Sequence, residues 1–246
     1  MNSARLRVLA VISIVAIAAG LLAVEVMPRL LPIPSQHPAA RRPTLLLLTS
    51  LPLVFNEDFS LHGGGSPALK VLRIHYEVLP ISVTDRVALE KGSLLLMAQP
   101  FPQTAENLVA LDAWVRRGGR LLLFADPMLE WPSKRPLGDL LRPPAMFMDT
   151  GLLAHWGLRL DAPDMQGPSE RMLGGHEVVT VSPGSLHGRC KLSIDRFVAH
   201  CRIGKGRATI VADADLLDVG KLGPGSAENL DGVLGELETL KSAQIR

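Results

Sequence analysis

Three aspartates that follow two apolar segments are the strongest candidates for chemistry in this chain. Asp126 comes directly after residues 121–125, and Asp213 and Asp215 follow residues 208–212. If both segments are strands of an open α/β sheet, their carboxyl ends lie at the edge where such sheets bind ligands. The three carboxylates could then bind a cation or a polar ligand. Alternatively, Asp126 and Asp215 could only cap the turns and helices that follow them.

A run of glycines is the second candidate for a binding site. His62 precedes three glycines, an arrangement that resembles the HGGG turn of the oxyanion hole in lipases and esterases. These glycines are Gly63, Gly64 and Gly65. The chain has no G-x-S-x-G nucleophile elbow to work with such a turn. The glycines could cradle an anion at the start of a helix near Pro67, or they could form only a flexible turn before it.

Other motifs that would carry chemistry are missing from the sequence. There is no G-x-G-x-x-G, no Walker lysine spacing, and no H-x-x-x-H or H-E-x-x-H pair. From the sequence we therefore assign no catalytic residue, no cofactor and no metal site.

The two cysteines, Cys190 and Cys201, flank a segment that can fold as a hairpin turning between Asp195 and Arg196. The pairs on one face of that hairpin are then Ile194 with Phe197, Leu192 with Ala199, and Cys190 with Cys201. This register allows a cross-strand disulfide, which would suit an oxidising space outside the cytoplasm. The cysteines could instead be two small core residues. They are too few for a zinc site.

The elements that must position these residues begin with a strand–helix–strand unit. In residues 103–127, apolar residues recur at helical spacing, and two arginines followed by Gly118-Gly119 indicate the end of a helix. The apolar runs at residues 94–97 and 121–124 lie on either side of this helix. Because neither run alternates with polar residues, both are typical of strands buried on both faces of a parallel sheet.

Similar segments extend this unit along the chain. We predict further strands at residues 44–49, 76–83 and 206–212, and further helices at residues 68–75, 149–156 and 226–240. This order predicts an α/β fold, a doubly wound and mostly parallel sheet over residues 44–241. A β-rich insertion that contains the cysteine hairpin is expected at about residues 165–205.

The N-terminus carries a membrane signal. Two arginines precede residues 8–24, which contain no charge and reach the lower limit of about 17–25 residues for a spanning helix. A cleaved signal peptide is the alternative, with a candidate site at residues 16–18. We expect a single retained anchor over residues 1–27 and a stiff linker over residues 28–43, which contain five prolines. The α/β domain would then lie on the extracytoplasmic, periplasmic side of the inner membrane.

The charge balance excludes nucleic acid as an expected partner. The chain has a net charge of +2, and its basic residues are scattered. It has one Tyr, three Trp and six Phe for base stacking, which is few for its length.

Four sequence blocks resemble a known family. They are LLLMAQP, LVALDAWVRRGGRLLLFADP, DTGLLAHWGLRLDAP and GKGRATIVADADLLD. The combination is similar to the extracytoplasmic domain of GldG-like proteins, which are auxiliary components of gliding-motility and ABC-type transport systems. The resemblance covers roughly residues 44–240. It implies a flavodoxin-like sheet related to class I glutamine amidotransferases, and the permease or ATPase of an ABC transporter as partner.

The same relationship suggests which catalytic groups should be present. In the related enzymes, a nucleophilic cysteine follows the strand that corresponds to residues 121–125. This chain has Asp126-Pro127 there, and Asp213 and Asp215 stand where the late strand would supply His and Glu. Since nucleophile and base are both missing, we predict a non-catalytic, membrane-anchored accessory protein that binds a protein partner or an envelope ligand. A hydrolase that uses the aspartates, or a solute-binding module, is the alternative.

Overall fold

The structure, a computed structural model, describes residues 42–55, 65–223 and 226–242. The predicted anchor at residues 1–27 and nearly all of the linker at residues 28–43 lie outside these ranges, as do Gly63 and Gly64. Across the described ranges, no helix is both long enough and apolar enough to cross a membrane. The described part is a mixed α/β structure with a mostly parallel central sheet.

Seven of the described strands form the central sheet, in the order β2-β1-β3-β4-β11-β10-β9. Strands β2, β1, β3, β4 and β11 are parallel, and β10 runs antiparallel to both β11 and β9. Two separate antiparallel pairs, β5 with β8 and β6 with β7, lie outside the sheet. The strands are β1 (Thr44–Thr49), β2 (Glu77–Pro80), β3 (Leu94–Ala98), β4 (Arg120–Phe124), β5 (Leu158–Asp161), β6 (Pro168–Leu173), β7 (His176–Val181), β8 (Ser185–Gly188), β9 (Lys191–Leu192), β10 (Val198–Ile203) and β11 (Gly206–Val211).

The helices begin at residues that cap them. Ser66, Asp85 and Thr104 each accept a hydrogen bond from the backbone N–H three residues later, which satisfies one free donor of the first helical turn. The described helices are α1 (Pro67–His75), α2 (Arg86–Leu89), α3 (Ala105–Arg116), α4 (Leu152–His155) and α5 (Asn229–Ser242), with 3₁₀ turns at Asp215–Leu217 and Ser226–Glu228.

The middle of the sheet forms the core of the domain. Every residue of β3 is buried, and so is all of β4 after Arg120, which confirms that these apolar runs are covered on both faces. The helix end predicted at Gly118-Gly119 is also present. Gly118 has a φ of 120°, and a Cβ on Gly119 would lie 2.3 Å from the Trp114 ring. Glycine is therefore required at both positions for α3 to turn into β4.

Two predicted elements are shorter than expected. The strand at residues 76–83 is reduced to β2, which ends at a proline. The helix at residues 149–156 is reduced to α4, because Gly151 has a left-handed φ of 106°. Asp149 still caps this turn, accepting hydrogen bonds from the backbone N–H groups of Gly151 and Leu153.

The β-rich segment at residues 165–205 is divided: β6, β7 and β8 lie outside the central sheet, whereas β9 and β10 extend that sheet beyond β11. Leu192 lies opposite Ala199, as predicted, and Cys190 and Cys201 form a disulfide with a Cα–Cα distance of 4.8 Å. The prediction for Ile194 was wrong. This side chain lies in the turn and is fully exposed, whereas its expected partner Phe197 is buried.

Removing the disulfide should destabilise the domain. The bridge joins residues 11 apart in sequence, and closing a loop of that length in the unfolded chain is worth about 2–3 kcal/mol. We expect the free energy of unfolding, measured by urea denaturation, to fall by this amount in a variant with both Cys190→Ser and Cys201→Ser. Reducing agent should destabilise the wild type similarly and leave the double variant unchanged. A loss below ~0.5 kcal/mol in both experiments would contradict the prediction.

Candidate functional site

The parallel register of the sheet brings the three predicted aspartates together. Phe124 of β4 lies opposite Val211 of β11. Asp126 comes two residues after Phe124, and Asp213 comes two residues after Val211, so both leave the sheet at the same edge. One carboxylate oxygen from each of Asp126, Asp213 and Asp215 lies within 4.8 Å of the other two. We call these three residues the aspartate cluster. Its most exposed member, Asp215, has only 3% of its surface accessible.

Asp126 binds backbone groups on both sides of the cluster. Its Oδ1 accepts a hydrogen bond from the N–H of Met128 at 2.8 Å, which caps the turn after β4. Its Oδ2 accepts one from the N–H of Ala214 at 2.9 Å and so ties that turn to the segment after β11. Asp126 is therefore both a cap and a link between two neighbouring strand ends.

The capping role predicted for Asp215 belongs to its neighbour. Asp213 Oδ1 accepts a hydrogen bond from the N–H of Leu216 at 2.9 Å and caps the 3₁₀ turn. Asp215 Oδ2 instead accepts from the N–H of Glu130 at 2.8 Å, across the sheet edge. Asp213 Oδ2 is buried and has no hydrogen-bond partner among the described residues.

Gln99 supports the cluster from the neighbouring strand, and the sequence analysis missed it. Its side chain accepts a hydrogen bond from the N–H of Asp126 at 3.0 Å and donates to the carbonyl oxygens of Asp126 at 3.2 Å and Pro144 at 3.1 Å. The residue is fully buried and has a φ of 41°. Strain of this kind concentrates at functional sites. The signal in the sequence was a single polar residue ending the apolar run LLLMA.

Two hydroxyl residues of β7 and the segment after it were also missed. Thr180 is fully buried, and its Oγ1 makes no hydrogen bond among the described residues. Ser182, also fully buried, donates to the Glu130 carboxylate and accepts from the N–H of Gly167 at 2.9 Å. Thr180 and Ser182 follow the buried Val178 at every second position, and both are buried as well. Polar residues at alternating buried positions were the signal that could have found them.

Burial controls the electrostatics of the aspartate cluster. Loss of water raises the pKa of Asp126 to about 6, although hydrogen bonds from backbone N–H groups oppose the rise. Burial and the charge of Asp126 raise the pKa of Asp215 to about 7. The same two causes raise the pKa of Asp213 well above its usual range, and the nearby Thr180 hydroxyl opposes them. No basic side chain in the described part of the chain is buried, so none lies in the protein interior to balance this charge.

Gly65 lies away from the aspartate cluster. It has a φ of 82°, and it lines a cavity of about 570 Å³ together with Trp131 and Asp218. None of the three clustered aspartates lines this cavity. Within the described ranges, the structure therefore does not join the predicted glycine and aspartate residues into one site.

A second cavity, of about 280 Å³, opens at the carboxyl ends of β1 and β2. We call it the switch-point crevice, because the strand order reverses between β1 and β3. Its walls are mostly apolar and include Leu47, Leu51, Ile81, Phe101 and Leu141. The described lining residues include Arg135 but no Cys, His, Asp or Glu.

Two of the three hydroxyl groups on the wall of the crevice are already bonded. Thr49 Oγ1 donates to the carbonyl oxygen of Ala98 at 2.9 Å, and Ser50 Oγ donates to that of Gln99. These bonds hold the end of β1 against the end of β3. Neither hydroxyl has a base beside it in the crevice, so neither is set up as a nucleophile.

Comparisons with known proteins show the fold alone. No family model matches the chain, and no curated protein matches it. A cytoplasmic protein from Salmonella typhimurium is 11% identical, with 80% of this chain and 98% of that chain covered and a TM-score of 0.50. A ThuA-like protein from Bacteroides uniformis is 10% identical, with 82% and 94% covered and a TM-score of 0.45.

Glycosidase structures match over only part of their length. An exo-β-1,4-mannosidase from an Opitutaceae bacterium is 12% identical, with a TM-score of 0.45, and the match covers 85% of this chain but 37% of the enzyme. The chain thus spans about a third of the length of this mannosidase and of the β-galactosidases that it also matches.

The raised pKa values predict that stability falls as pH rises. Because the folded cluster holds protons that the unfolded aspartates, at about 3.8, have already lost, unfolding releases protons between roughly pH 4 and pH 7. In protein that has been unfolded and refolded with chelator, so that it holds no divalent cation, the free energy of unfolding should decrease by at least ~1 kcal/mol from pH 5 to pH 8. Urea denaturation at a series of pH values measures it.

In the same cation-free protein, Asp215→Asn should flatten this pH dependence and stabilise the domain at pH 8, because it removes one buried charge. The matched control is Asp161→Asn, since Asp161 is partly exposed, is paired with Arg159, and has a lowered pKa. That variant should keep the slope of the wild type between pH 5 and pH 8. A wild-type stability that rises over this range would show that the cluster is not protonated in the fold.

Proposed function

We propose that this chain is a non-catalytic, membrane-anchored accessory protein of an ABC-type transport or gliding-type system. In this proposal its α/β domain lies on the periplasmic side of the inner membrane and binds an apolar segment of a protein partner in the switch-point crevice. The domain would be a doubly wound, flavodoxin-like member of the glutamine amidotransferase-related folds. The order of β2, β1, β3, β4 and β11 supports that assignment, because it corresponds to the 2-1-3-4-5 order of flavodoxin-like sheets.

The observation that carries the proposal is the chemistry of the crevice. Open α/β sheets bind ligands at a topological switch point, and here that place is mostly apolar, with two of its three hydroxyls already bonded. A sugar or another strongly polar solute would leave most of its own polar groups unpaired against these walls, which costs binding free energy. An apolar side chain of a protein would instead gain by burial.

Exposed apolar residues surround the mouth of the crevice. Phe55, Phe101 and Leu141 line it and are 74%, 37% and 55% exposed. Leu137 and Leu140, in the same turn region as Leu141, are almost completely exposed. A soluble surface rarely keeps so many large apolar side chains together without a partner. Several apolar anchors around one pocket are typical of the centre of a protein interface.

The residues at the strand ends support a binding role over catalysis. Gln99 has the left-handed backbone of a sharp turn after a strand, the geometry that places a nucleophile in hydrolase elbows. Its side chain is an amide, which is not a nucleophile, and it is bound to the backbone of Asp126. Asp126, in turn, is buried and lines neither described cavity.

The proposal predicts that a partner can be crosslinked from the mouth of the crevice. A photoreactive amino acid placed at Phe101 in the full-length chain, in membranes of the source organism, should capture one main partner. Mass spectrometry should identify it as an ABC permease or ATPase. The same probe at Val109, which is 69% exposed on α3, is the matched control and should not capture it. Membranes in which neither component is ever crosslinked would count decisively against the proposed system.

A substitution at the crevice tests where the partner binds, independently of which protein the partner is. With the probe moved to Leu141, Phe101→Asp should reduce the yield of the crosslink at least ~tenfold, because it places a charge in an apolar anchor position. Val109→Asp should leave the yield unchanged. If Phe101→Asp also leaves it unchanged, the partner binds elsewhere on the domain, whichever protein it is.

A further inference from the structure

The aspartate cluster buries more negative charge than the surrounding protein neutralises. Its three carboxyl groups are 97% or more buried, and the interior of the described part holds no basic side chain. Burying one ionised carboxylate without a partner already costs several kcal/mol, and three within 4.8 Å repel one another as well. Something must compensate this charge, and the two possibilities are protons and a cation.

The donor set at the cluster is that of a hard divalent cation. Each aspartate offers a carboxylate oxygen, and Ca²⁺ and Mg²⁺ prefer oxygen ligands. Ca²⁺–oxygen distances of about 2.3–2.6 Å allow two ligand atoms to lie up to roughly 5 Å apart. The oxygens of the cluster, which lie within 4.8 Å of one another, have a spacing that Ca²⁺ can bridge.

Thr180, which lies outside the aspartate cluster, is a separate indication that an ion binds there. Thr180, on β7, is fully buried, and its Oγ1 has no hydrogen-bond partner among the described residues. It faces Asp213, because its hydroxyl interacts with that carboxyl group and lowers the pKa of the carboxyl, although the two groups are outside good hydrogen-bonding geometry. The facing atom, Asp213 Oδ2, is also buried and without a partner. Leaving a polar group unsatisfied in this way typically costs about 1–3 kcal/mol, and a bound cation would remove that cost.

We propose that Asp126, Asp213 and Asp215 bind one calcium ion, with the hydroxyl of Thr180 turned towards the same site. The ion joins the turn after β4, the 3₁₀ turn after β11 and strand β7. Since the three aspartates are almost completely buried, this ion stabilises the edge of the sheet and does not meet a substrate.

The first measurement is elemental analysis of the full-length chain purified without chelator. We expect close to one calcium per chain. Unfolding in urea with chelator, followed by refolding in chelator, gives the ion-free chain. Titration of that chain with CaCl₂ at pH 8 should raise its Tm by several degrees, with a Kd below ~1 mM in calorimetry.

Asp213→Asn tests the cluster itself. The amide keeps an oxygen that can accept the hydrogen bond from Leu216 N–H and removes the charge, so this variant should fold. We expect it to lose at least tenfold in calcium affinity and to have a Tm that no longer responds to CaCl₂. Asp215→Asn is a second variant of the same kind. Glu236→Gln is the matched control, because Glu236 is a buried acid outside the cluster and contacts His200. It should respond to CaCl₂ as the wild type does.

Three results would overturn the proposal. The first is a refolded wild type that shows neither heat nor a change in Tm with millimolar CaCl₂, because protons alone then neutralise the cluster. The second is an Asp213→Asn chain that responds to CaCl₂ like the wild type, because the ion then binds at surface carboxylates. The third is at least tenfold tighter binding of MgCl₂ than of CaCl₂, which would exclude calcium as the occupant.

Discussion

The alignment of three parallel strand ends is the constraint on which the functional edge of this domain depends. Ala98, Phe124 and Val211 are register partners across β3, β4 and β11. The hydrogen bonds between these strands fix the residues that follow at the same edge of the sheet. Asp126 and Asp213 each follow two residues after these partners and Gln99 follows one residue after, so the alignment of the strands, rather than any loop, brings these polar groups together.

Because the three aligned aspartates are buried, their negative charges are energetically unfavourable. Hydrogen bonds from backbone N–H groups satisfy one oxygen or both in each aspartate, but they do not remove the mutual repulsion of three carboxylates. A capping role alone does not need three acids, because asparagine or serine caps equally well without a charge. Aspartate at all three positions costs folding free energy in a buried site unless the negative charge has a function.

The sequence predicted the positions of these acids better than their surroundings. Unbroken apolar runs show which strands are central, and parallel strands must end at a common edge, so that the meeting of Asp126 with Asp213 follows from local patterns. Gln99 and Thr180 could not be found in this way, since their roles depend on strands that are distant in sequence. The same limit applies to β9 and β10, because local pairing of Leu192 with Ala199 does not reveal that this hairpin continues the central sheet.

The aspartate cluster and the switch-point crevice lie at the same edge of the sheet and have different roles. The aspartate cluster is closed, charged and bonded to backbone, whereas the switch-point crevice is open, apolar and bordered by exposed side chains. Gln99 connects them, because its side chain holds Asp126 while its carbonyl oxygen accepts the hydrogen bond from Ser50 at the crevice wall. Any change that loosens the cluster would therefore be transmitted to the crevice through one strained residue. Because these hydrogen bonds already order the strand ends, less ordering is needed when a partner binds, which lowers the entropic cost of binding.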